Sequence, residues 1–486
     1  MQISKKIFFA VAALALLAAR LATAQDAAAT LKAASEAMGA GNVTSIEYQG
    51  SGSSYNFGQA INVAAPWRHL IMKNYVADIQ YGARAMQEEM DRTLVDGSMP
   101  FGGFHQILCV SGSDAWNFAG EVPTAAPAPV AAMERQLQIW LTPIGFLKAA
   151  EESRATVKTQ GANKVITFTT ADHHRVEGTI NTQNLVTKTE TWIDDPVLGD
   201  MPIVTTFSNY ARFGDLTFPA KIVQTEGGYP VLELAVSDVK ANAAKTIDVP
   251  ANVRGVQAPP VVVKTEKLGD GVWFLGGGAY NSLLVEFDKY TVVVEGPLNE
   301  ARSAAVIDEA HKLVPNKPIK YMVNTHNHFD HLGGIRTFVA EGSIIIAPGP
   351  NVAYYHKILL LPHTIHPDRL SRSPKPAVIE GVKTKRVLTD GKQTLEIYVT
   401  PIKGHSDAMI VTYSPELKLL TEADAYVPMP LSAPPSAKPD SYFLPFTVDL
   451  NEQLRRLKLD VGPIAPIHGR MTSMDEMLRM IGKSGG

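Results

Sequence analysis

Cysteine is almost absent from this 486-residue chain, with Cys109 the only one. A single thiol excludes an intramolecular disulfide and a thiolate-rich metal site, so any zinc must be held by histidine and carboxylate. An excess of charge of one sign is also missing. Lys and Arg total 45 against 48 Asp and Glu, a net charge of −3, which leaves no basic surplus for a phosphate backbone and argues against nucleic acid as a partner. There is no internal repeat of fixed short period. The one G-x-S-x-G match, Gly482–Gly486, follows a helical run instead of a strand, so no elbow offers a serine nucleophile. What is present, 45% hydrophobic and 19% charged residues, is the balance of a globular protein with sizeable cores.

The N-terminal apolar run Ile7 to Ala19 is interrupted by Arg20, and it falls short of the roughly 20 residues a membrane span needs. Two lysines precede it and the small residues Ala22-Thr23-Ala24 follow, the layout of a secretory signal cleaved after Ala24. The expectation is an exported protein, periplasmic or extracellular, with no stable membrane span after cleavage. No cysteine follows the run to carry a lipid anchor.

The length of the chain suggests two domains. Thr30 to Gly39 has helical spacing in Leu31, Ala34 and Met38. Short alternating runs follow, at Val43–Tyr48, Ala60–Val63, Trp67–Asn74, Val165–Thr170, Arg175–Ile180, Leu185–Ile193, Ile203–Tyr210 and Lys221–Glu226. They predict a mainly antiparallel β-rich domain. One long helix is expected over Ala131–Ala150, packing through Met133, Leu137, Trp140, Leu141 and Phe146. Asp96–Gly103 and Val122–Val130, rich in Gly, Ser, Pro and Ala, are expected loops. An aperiodic stretch with Pro250, Pro259 and Pro260 marks the boundary. The division is thus a signal over 1–24, a β-rich domain over 25–250, a linker over 251–260 and a second domain over 261–486.

Beyond Val261 strands alternate with helices. Strands are expected at Val261–Thr265, Val272–Leu275, Ser282–Phe287, Thr291–Glu295, Ile319–Asn324, Ile344–Ala347, Leu395–Thr400, Ile410–Tyr413, Leu417–Thr421 and Ile464–Ile467. Helices are expected at Asn299–Leu313, Val448–Lys458 and Met474–Ile481. Directly after the strand Ile319–Asn324 stands Thr325-His326-Asn327-His328-Phe329-Asp330-His331-Leu332-Gly333-Gly334. Alternation along extended chain turns His326 and His328 toward one metal, while Asp330 and His331 turn toward a second. Gly333 and Gly334 are expected to supply backbone freedom for the next turn.

This segment resembles the metallo-β-lactamase superfamily, whose signature is H-x-H-x-D-H at the end of a strand. The resemblance covers Val261 to the C-terminus and implies an αββα sandwich, making the whole chain α+β. It also implies the remaining ligands. The first metal would be held by His326, His328 and His405, the second by Asp330, His331 and His468, with Asp424 bridging both. Two zinc ions are implied, with iron or manganese tolerated by the same donors. The expected reaction is hydrolysis of a small-molecule substrate by a hydroxide that two metals make available near neutral pH, with Asp330 as the catalytic carboxylate.

Asp424 resembles the pattern of ester, thioester, lactone, phosphodiester and sulfate-ester hydrolases, whereas the β-lactamases of the superfamily usually place Cys or Ser near that position. β-Lactamase activity and an iron-dependent oxidoreductase are the alternatives on the same fold. Substrate-contacting residues and oligomeric state are not legible. The segment Asn351–Pro376, with Tyr354, Tyr355, His356, His363, His366, Arg369 and Arg372, reads either as a cover over the metal cleft or as a solvated excursion. Asp172, His173 and His174 read as an ordinary polar turn. The N-terminal helix and sheet resemble periplasmic lipoprotein-carrier domains in pattern alone, which makes that half a candidate lipid- or protein-binding module.

Overall fold

The computed structural model describes residues 25–98, 100–101, 103–119, 124–432 and 438–483. The signal assigned to residues 1–24 lies outside them, as do Val122 and Pro123 of the second predicted loop. The chain forms two compact units. The first comprises residues 1–55, 69–193 and 201–258, and the second 56–68, 194–200 and 259–486.

In the first unit a helix over residues 25–38 buries Ala27, Leu31, Ala34 and Met38. Their spacing of three to four residues places them on one face. One thirteen-stranded antiparallel sheet follows the chain as a meander, in which Ser45–Ala60 lies between Trp67–Gln80 and Tyr229–Ala241. Strand Arg175–Ile180 shows why these segments are strands. Val176, Gly178 and Ile180 are buried and their neighbours are not, the period of two that a one-sided sheet requires.

Three expectations for this half are corrected. Ala60–Val63 is not a strand of its own, because Ser45–Ala60 runs on to Ala60 and the chain then turns. The single helix over Ala131–Ala150 is two helices, Ala132–Trp140 and Pro143–Glu152. Pro143 lacks the N–H that a continuing helix would need, and the Thr142 side chain accepts from Gly145 N to cap the second helix. Met133, expected in the packed face, is 44% exposed.

The second unit contains two sheets, of seven strands (Lys264–Gly269 through Ile379–Val382) and of six (Lys385–Thr389 through Thr472–Ser473). The core between them joins Val272, Leu283, Val294 and Val323 of the first sheet to Leu395, Ile397, Ile410 and Leu419 of the second. Leu450 and Leu454 of helix Leu444–Leu457 and Met477 of helix Met474–Met480 share a core with Val411 and Leu420 on the outer face of the six-stranded sheet. Helix Glu300–Leu313, capped by the Asn299 side chain on Arg302 N, buries Ala304, Val306, Ile307 and Ala310. The αββα sandwich is thus present. The first strand begins at Lys264 instead of Val261, and Ile379–Val382 and Lys385–Thr389 are strands that the sequence pattern did not mark. Among the described residues no helix is long and apolar enough to cross a membrane.

Candidate metal centre

Strand Ile319–Val323 delivers the chain into the site, and Asn324 ends it. The Asn324 amide donates to His331 O at 2.9 Å and to Glu295 Oε1 at 3.2 Å, while the Tyr355 hydroxyl donates to its carbonyl oxygen. These bonds fold the H-x-H segment against the single turn of helix Phe329–Leu332 that carries Asp330 and His331. Gly333 and Gly334 serve differently from the expectation of backbone freedom. Both have ordinary helical torsions, and what requires glycine is space: a Cβ would meet Leu298 O at 1.8 Å from Gly333 and Ser303 Oγ at 1.8 Å from Gly334.

The other three ligand candidates come from loops that follow strands. His405 sits in the turn closed by Ile402 N donating to Ser406 O, after strand Thr394–Val399. Asp424 follows Leu419–Thr421 in a left-handed conformation, φ 61°, that suits few side chains. The buried Glu422 carboxylate steadies this loop by accepting from Ala425 N at 3.2 Å and Tyr426 N at 3.1 Å. His468 pairs with Tyr280 in a β-bridge.

Two donor sets result. His326, His328, His405 and Asp424 form one, and Asp330, His331, Asp424 and His468 the other. Asp424 belongs to both through different oxygens. Its Oδ2 lies 3.3 Å from His326 Nε2, 3.6 Å from His328 Nδ1 and 3.1 Å from His405 Nε2. Its Oδ1 lies 3.1 Å from His331 Nε2 and 2.6 Å from His468 Nε2. A tetrahedral ion with Zn–N bonds of 2.0–2.1 Å spaces its ligand atoms roughly 3.3–3.4 Å apart. The separations His326 Nε2 to His405 Nε2, 3.4 Å, and His331 Nε2 to His468 Nε2, 3.3 Å, match that edge. Both nitrogens of buried His328 and Nδ1 of buried His405 have no hydrogen-bond partner among the described residues, a costly state for isolated imidazoles. The donor set therefore fits two metal ions.

Electrostatics support the same assignment. Burial pushes His326, His328 and His405 down to about 4, so these rings are neutral and their lone pairs open at neutral pH. Burial opposes charge on His331 as well, but the Asp424 and Asp330 carboxylates outweigh it and hold the ring well above the usual imidazole range. Burial likewise opposes charge on Asp424, yet the surrounding imidazoles, His331 and His468 foremost, hold it well below the usual carboxylate range. A bound cation would replace the protons that hold this cluster together.

Several residues at the site carry no sequence signal. Glu295 accepts from His331 Nδ1 at 3.0 Å, which leaves Nε2 pointing into the second donor set. The Tyr280 hydroxyl donates to Asp330 Oδ2 at 2.9 Å, and Gln59 Nε2 donates to Asp330 Oδ1 at 2.8 Å. In the segment Asn351–Pro376, Tyr355 is a core residue, Arg372 pairs with Glu300 at 3.0 Å, and buried His363 faces Asp194 at 3.6 Å. Neither arginine nor histidine of this segment belongs to the two donor sets. Asp172 and His173 are exposed in a turn and belong to neither set.

The first unit has a cavity of its own, about 360 Å³, lined by Met72, Met86, Met90 and Phe207 among apolar groups and by Tyr75 and Glu88 among polar ones. Tyr75 donates to Glu88 at 2.5 Å, and burial pushes the Glu88 carboxyl up. Ser54 Oγ lines the same cavity, buried and without a hydrogen-bond partner among the described residues.

Comparison with known proteins bears on the second unit. Residues 275–466 match the family described as the metallo-beta-lactamase superfamily. Similar solved structures include a metallo-beta-lactamase from Pontibacter korlensis, 18% identical over 46% of this chain and 98% of that one, with a TM-score of 0.33. A second comes from Hirschia baltica, 22% identical over 45% of this chain and 95% of that one, TM-score 0.32. A third is the mono-zinc form of FIM-1 from Pseudomonas aeruginosa, 20% identical over 46% of this chain and 96% of that one, TM-score 0.32. No curated protein matches the sequence.

Proposed function

Residues 275–466 form a metallo-beta-lactamase superfamily domain, and from that premise we propose that the protein is a binuclear metal-dependent hydrolase of small esters, thioesters, lactones, phosphoesters or sulfate esters. The observation that carries the reading is Asp424, whose two oxygens face two separate donor sets. Two bound ions, zinc first, with iron or manganese accepted by the same donors, would lower the pKa of water and polarise the scissile group.

The side chains supply the remainder. His326, His328 and His405 are neutral and desolvated, so they offer lone pairs without a proton to displace. His331 is fixed in one ring orientation by Glu295. Asp330 is the carboxylate placed to orient an attacking water and accept its proton, with Tyr280 and Gln59 each donating to one of its oxygens. By resemblance to the hydrolases of the superfamily that carry a carboxylate at this place, Asp424 supports this substrate group ahead of β-lactams.

The experiment is metal analysis of the purified protein followed by assay of the metal-loaded protein on lactone, thioester, phosphodiester, sulfate-ester and β-lactam panels. Two zinc ions per chain and turnover lost in an Asp330→Ala, His331→Ala variant that still folds are expected. Protein without any transition metal defeats the reading, and iron with oxygen consumption replaces it with an oxidoreductase. Export is part of the same proposal, supported by the layout of residues 1–24. Mass spectrometry of the mature chain should find Gln25 at its start.

The cavity of the first unit supports a second reading for that unit, a binding module for a small, largely apolar ligand such as a lipid. Its volume is that of a small-molecule pocket, and methionines adapt to varied apolar shapes. A fluorescent single-chain fatty acid should saturate the full-length protein at one per chain, and Met90→Trp should abolish this. Absence of saturation excludes the reading.

A further inference from the structure

The ligand motif is held by a segment that lies far from it in sequence. Residues 56–68 belong to the second unit although the other segments of that unit begin at residues 194 and 259. Polar contacts from four of its residues tie the segment to the metal loops and to Tyr442. Asn327, the residue between His326 and His328, donates its amide to Ala60 O at 2.9 Å. Asp407, two positions beyond His405, donates its backbone N–H to Ile61 O at 2.8 Å and accepts from Asn62 Nδ2 at 2.7 Å. The Arg68 guanidinium donates to Gly404 O, next to His405, and to the Tyr442 hydroxyl at 2.8 Å.

An aromatic cluster completes the attachment. Phe57 and Trp67 meet edge to face at 4.8 Å, and both meet Phe329, the residue before Asp330, at 5.4 and 5.8 Å. Gly58 lies between, at φ 68°, where a Cβ would stand 2.5 Å from Phe329 Cγ, so the close approach requires glycine. This many directed contacts fix the segment against the ligand loops, and they place Gln59 Nε2 2.8 Å from Asp330 Oδ1.

The two oxygens of Asp330 are thereby distinguished. Oδ2 lies 3.4 Å from His331 Nε2, on the side of the second donor set, and accepts from the Tyr280 hydroxyl at 2.9 Å. Oδ1 accepts the Gln59 amide. A carboxylate free to rotate exchanges its oxygens, and one whose outer oxygen is held offers a single oxygen in a fixed direction.

We propose that Gln59 is a positioning residue for the second metal site, holding Asp330 in one-oxygen presentation, and that residues 56–68 are a structural part of that site. This rests on the binuclear reading above. It implies that a fragment beginning at Val261 would lack part of its own metal centre.

The test uses the full-length protein, stripped with a chelator and titrated with zinc against a chromophoric competitor, comparing wild type with Gln59→Met, which keeps the length of the side chain and removes the donor. The expected result is that one of the two sites is unchanged and the other loses about 10- to 100-fold in affinity, the usual effect of removing a hydrogen bond to a metal ligand. Melting of the metal-free protein, which a merely structural role would shift, should stay at the wild-type temperature. Equal affinities at both sites in wild type and variant overturn the inference while leaving the binuclear reading standing. So does a matched weakening of both sites accompanied by a lower melting temperature of the metal-free protein. Wild-type protein that takes up neither zinc, iron nor manganese overturns the binuclear reading itself and this inference with it.

Discussion

Glu295 and His331 are both fully buried and joined by a 3.0 Å hydrogen bond from His331 Nδ1 to Glu295 Oε2. The same carboxylate accepts from the Thr325 hydroxyl and from the Asn324 amide, so one side chain ties together the strand that carries the motif and the turn that ends it. Replacing the anion by a neutral acceptor of the same shape should leave the fold and weaken the ligand. Glu295→Gln is expected to lower zinc affinity at the second site by roughly tenfold, through a less basic imidazole. Calorimetric titration checks this, and an unchanged affinity would mean that His331 is oriented by packing alone.

Asp424 makes a different demand on the metals. Two dications about 3.5–4 Å apart repel strongly unless a shared anion lies between them. Asp424→Ala leaves three candidate ligands on each side but removes the carboxylate whose two oxygens face both sets. The variant should therefore retain one ion per chain instead of two, by elemental mass spectrometry, and its turnover should fall by more than the 10- to 100-fold associated with loss of an outer contact. Two ions retained at wild-type affinity would show that Asp424 does not bridge.

Metal removal gives a readout independent of substrate. An ion that binds only the folded state stabilises it by about 2.7 kcal/mol at a free concentration a hundred times its Kd. For a unit of this size each kcal/mol moves the midpoint by roughly 2–4 °C. Chelation should accordingly lower the thermal midpoint of the second unit by about 5–11 °C for each ion removed, and added zinc should restore it. The first unit has no metal-capable cluster among its described residues, and its transition should not move.

The site was legible where its chemistry is local in sequence. His326, His328, Asp330 and His331 fall within six positions after a strand, whereas His405, Asp424 and His468 are named only by the resemblance to the metallo-β-lactamase superfamily. What escaped depends on contacts that only folding creates. Gln59 is 271 positions from the carboxylate it holds, and no property of a glutamine in a β-rich segment announces such a partner. Glu295 and Tyr280 are likewise ordinary residues until the sheets bring them to the ligands. Gly333 and Gly334 were noticed for the wrong reason, since crowding by Leu298 and Ser303 is invisible in sequence, whereas conformational freedom is a general property of glycine. The break between the helices ending at Trp140 and beginning at Pro143 was available as Thr142-Pro143, a cap followed by proline, but the apolar periodicity continued across it.

Gly334 offers a stability test of the crowding argument. A Cβ at that position would lie 1.8 Å from Ser303 Oγ and 2.5 Å from Gly296 O, and the second of these is backbone and cannot rotate away. Gly334→Ala should destabilise the second unit by about 1–3 kcal/mol through overpacking. Gly391→Ala is not a matched control for space, because its φ of 90° is itself strained for alanine, but Gly278→Ala meets only Tyr280 backbone at 4.0 Å and should be near neutral. Comparable urea midpoints for Gly334→Ala and Gly278→Ala would refute the crowding account.

Arg336 and Asp368 anchor the segment that follows the first ligand motif. Arg336 donates from Nε and from the guanidinium NH2 to the two carboxylate oxygens of Asp368, with further bonds to Leu359 O at 2.9 Å and Ser371 Oγ at 3.1 Å. Arg336 is 6% exposed, so its charge needs this partner. Partial burial pushes the Asp368 carboxyl up, but the Arg336 guanidinium and the Ser371 hydroxyl and amide outweigh it and hold it well below the usual carboxylate range. A depressed carboxyl contributes stability that is complete above its unfolded value, about 3.9, and is lost as pH falls through the folded value. Asp368→Asn should thus cost about 3–5 kcal/mol near neutral pH by leaving a buried guanidinium with a neutral partner. The difference between wild type and variant should shrink as the pH is lowered below about 4, because the unfolded wild type then takes up a proton that the folded state, with its depressed carboxyl, does not yet accept. Denaturant unfolding at pH 7, 5 and 3.5 checks the sign. A difference that grows toward acid would show that the pair is not held together by the Asp368 anion.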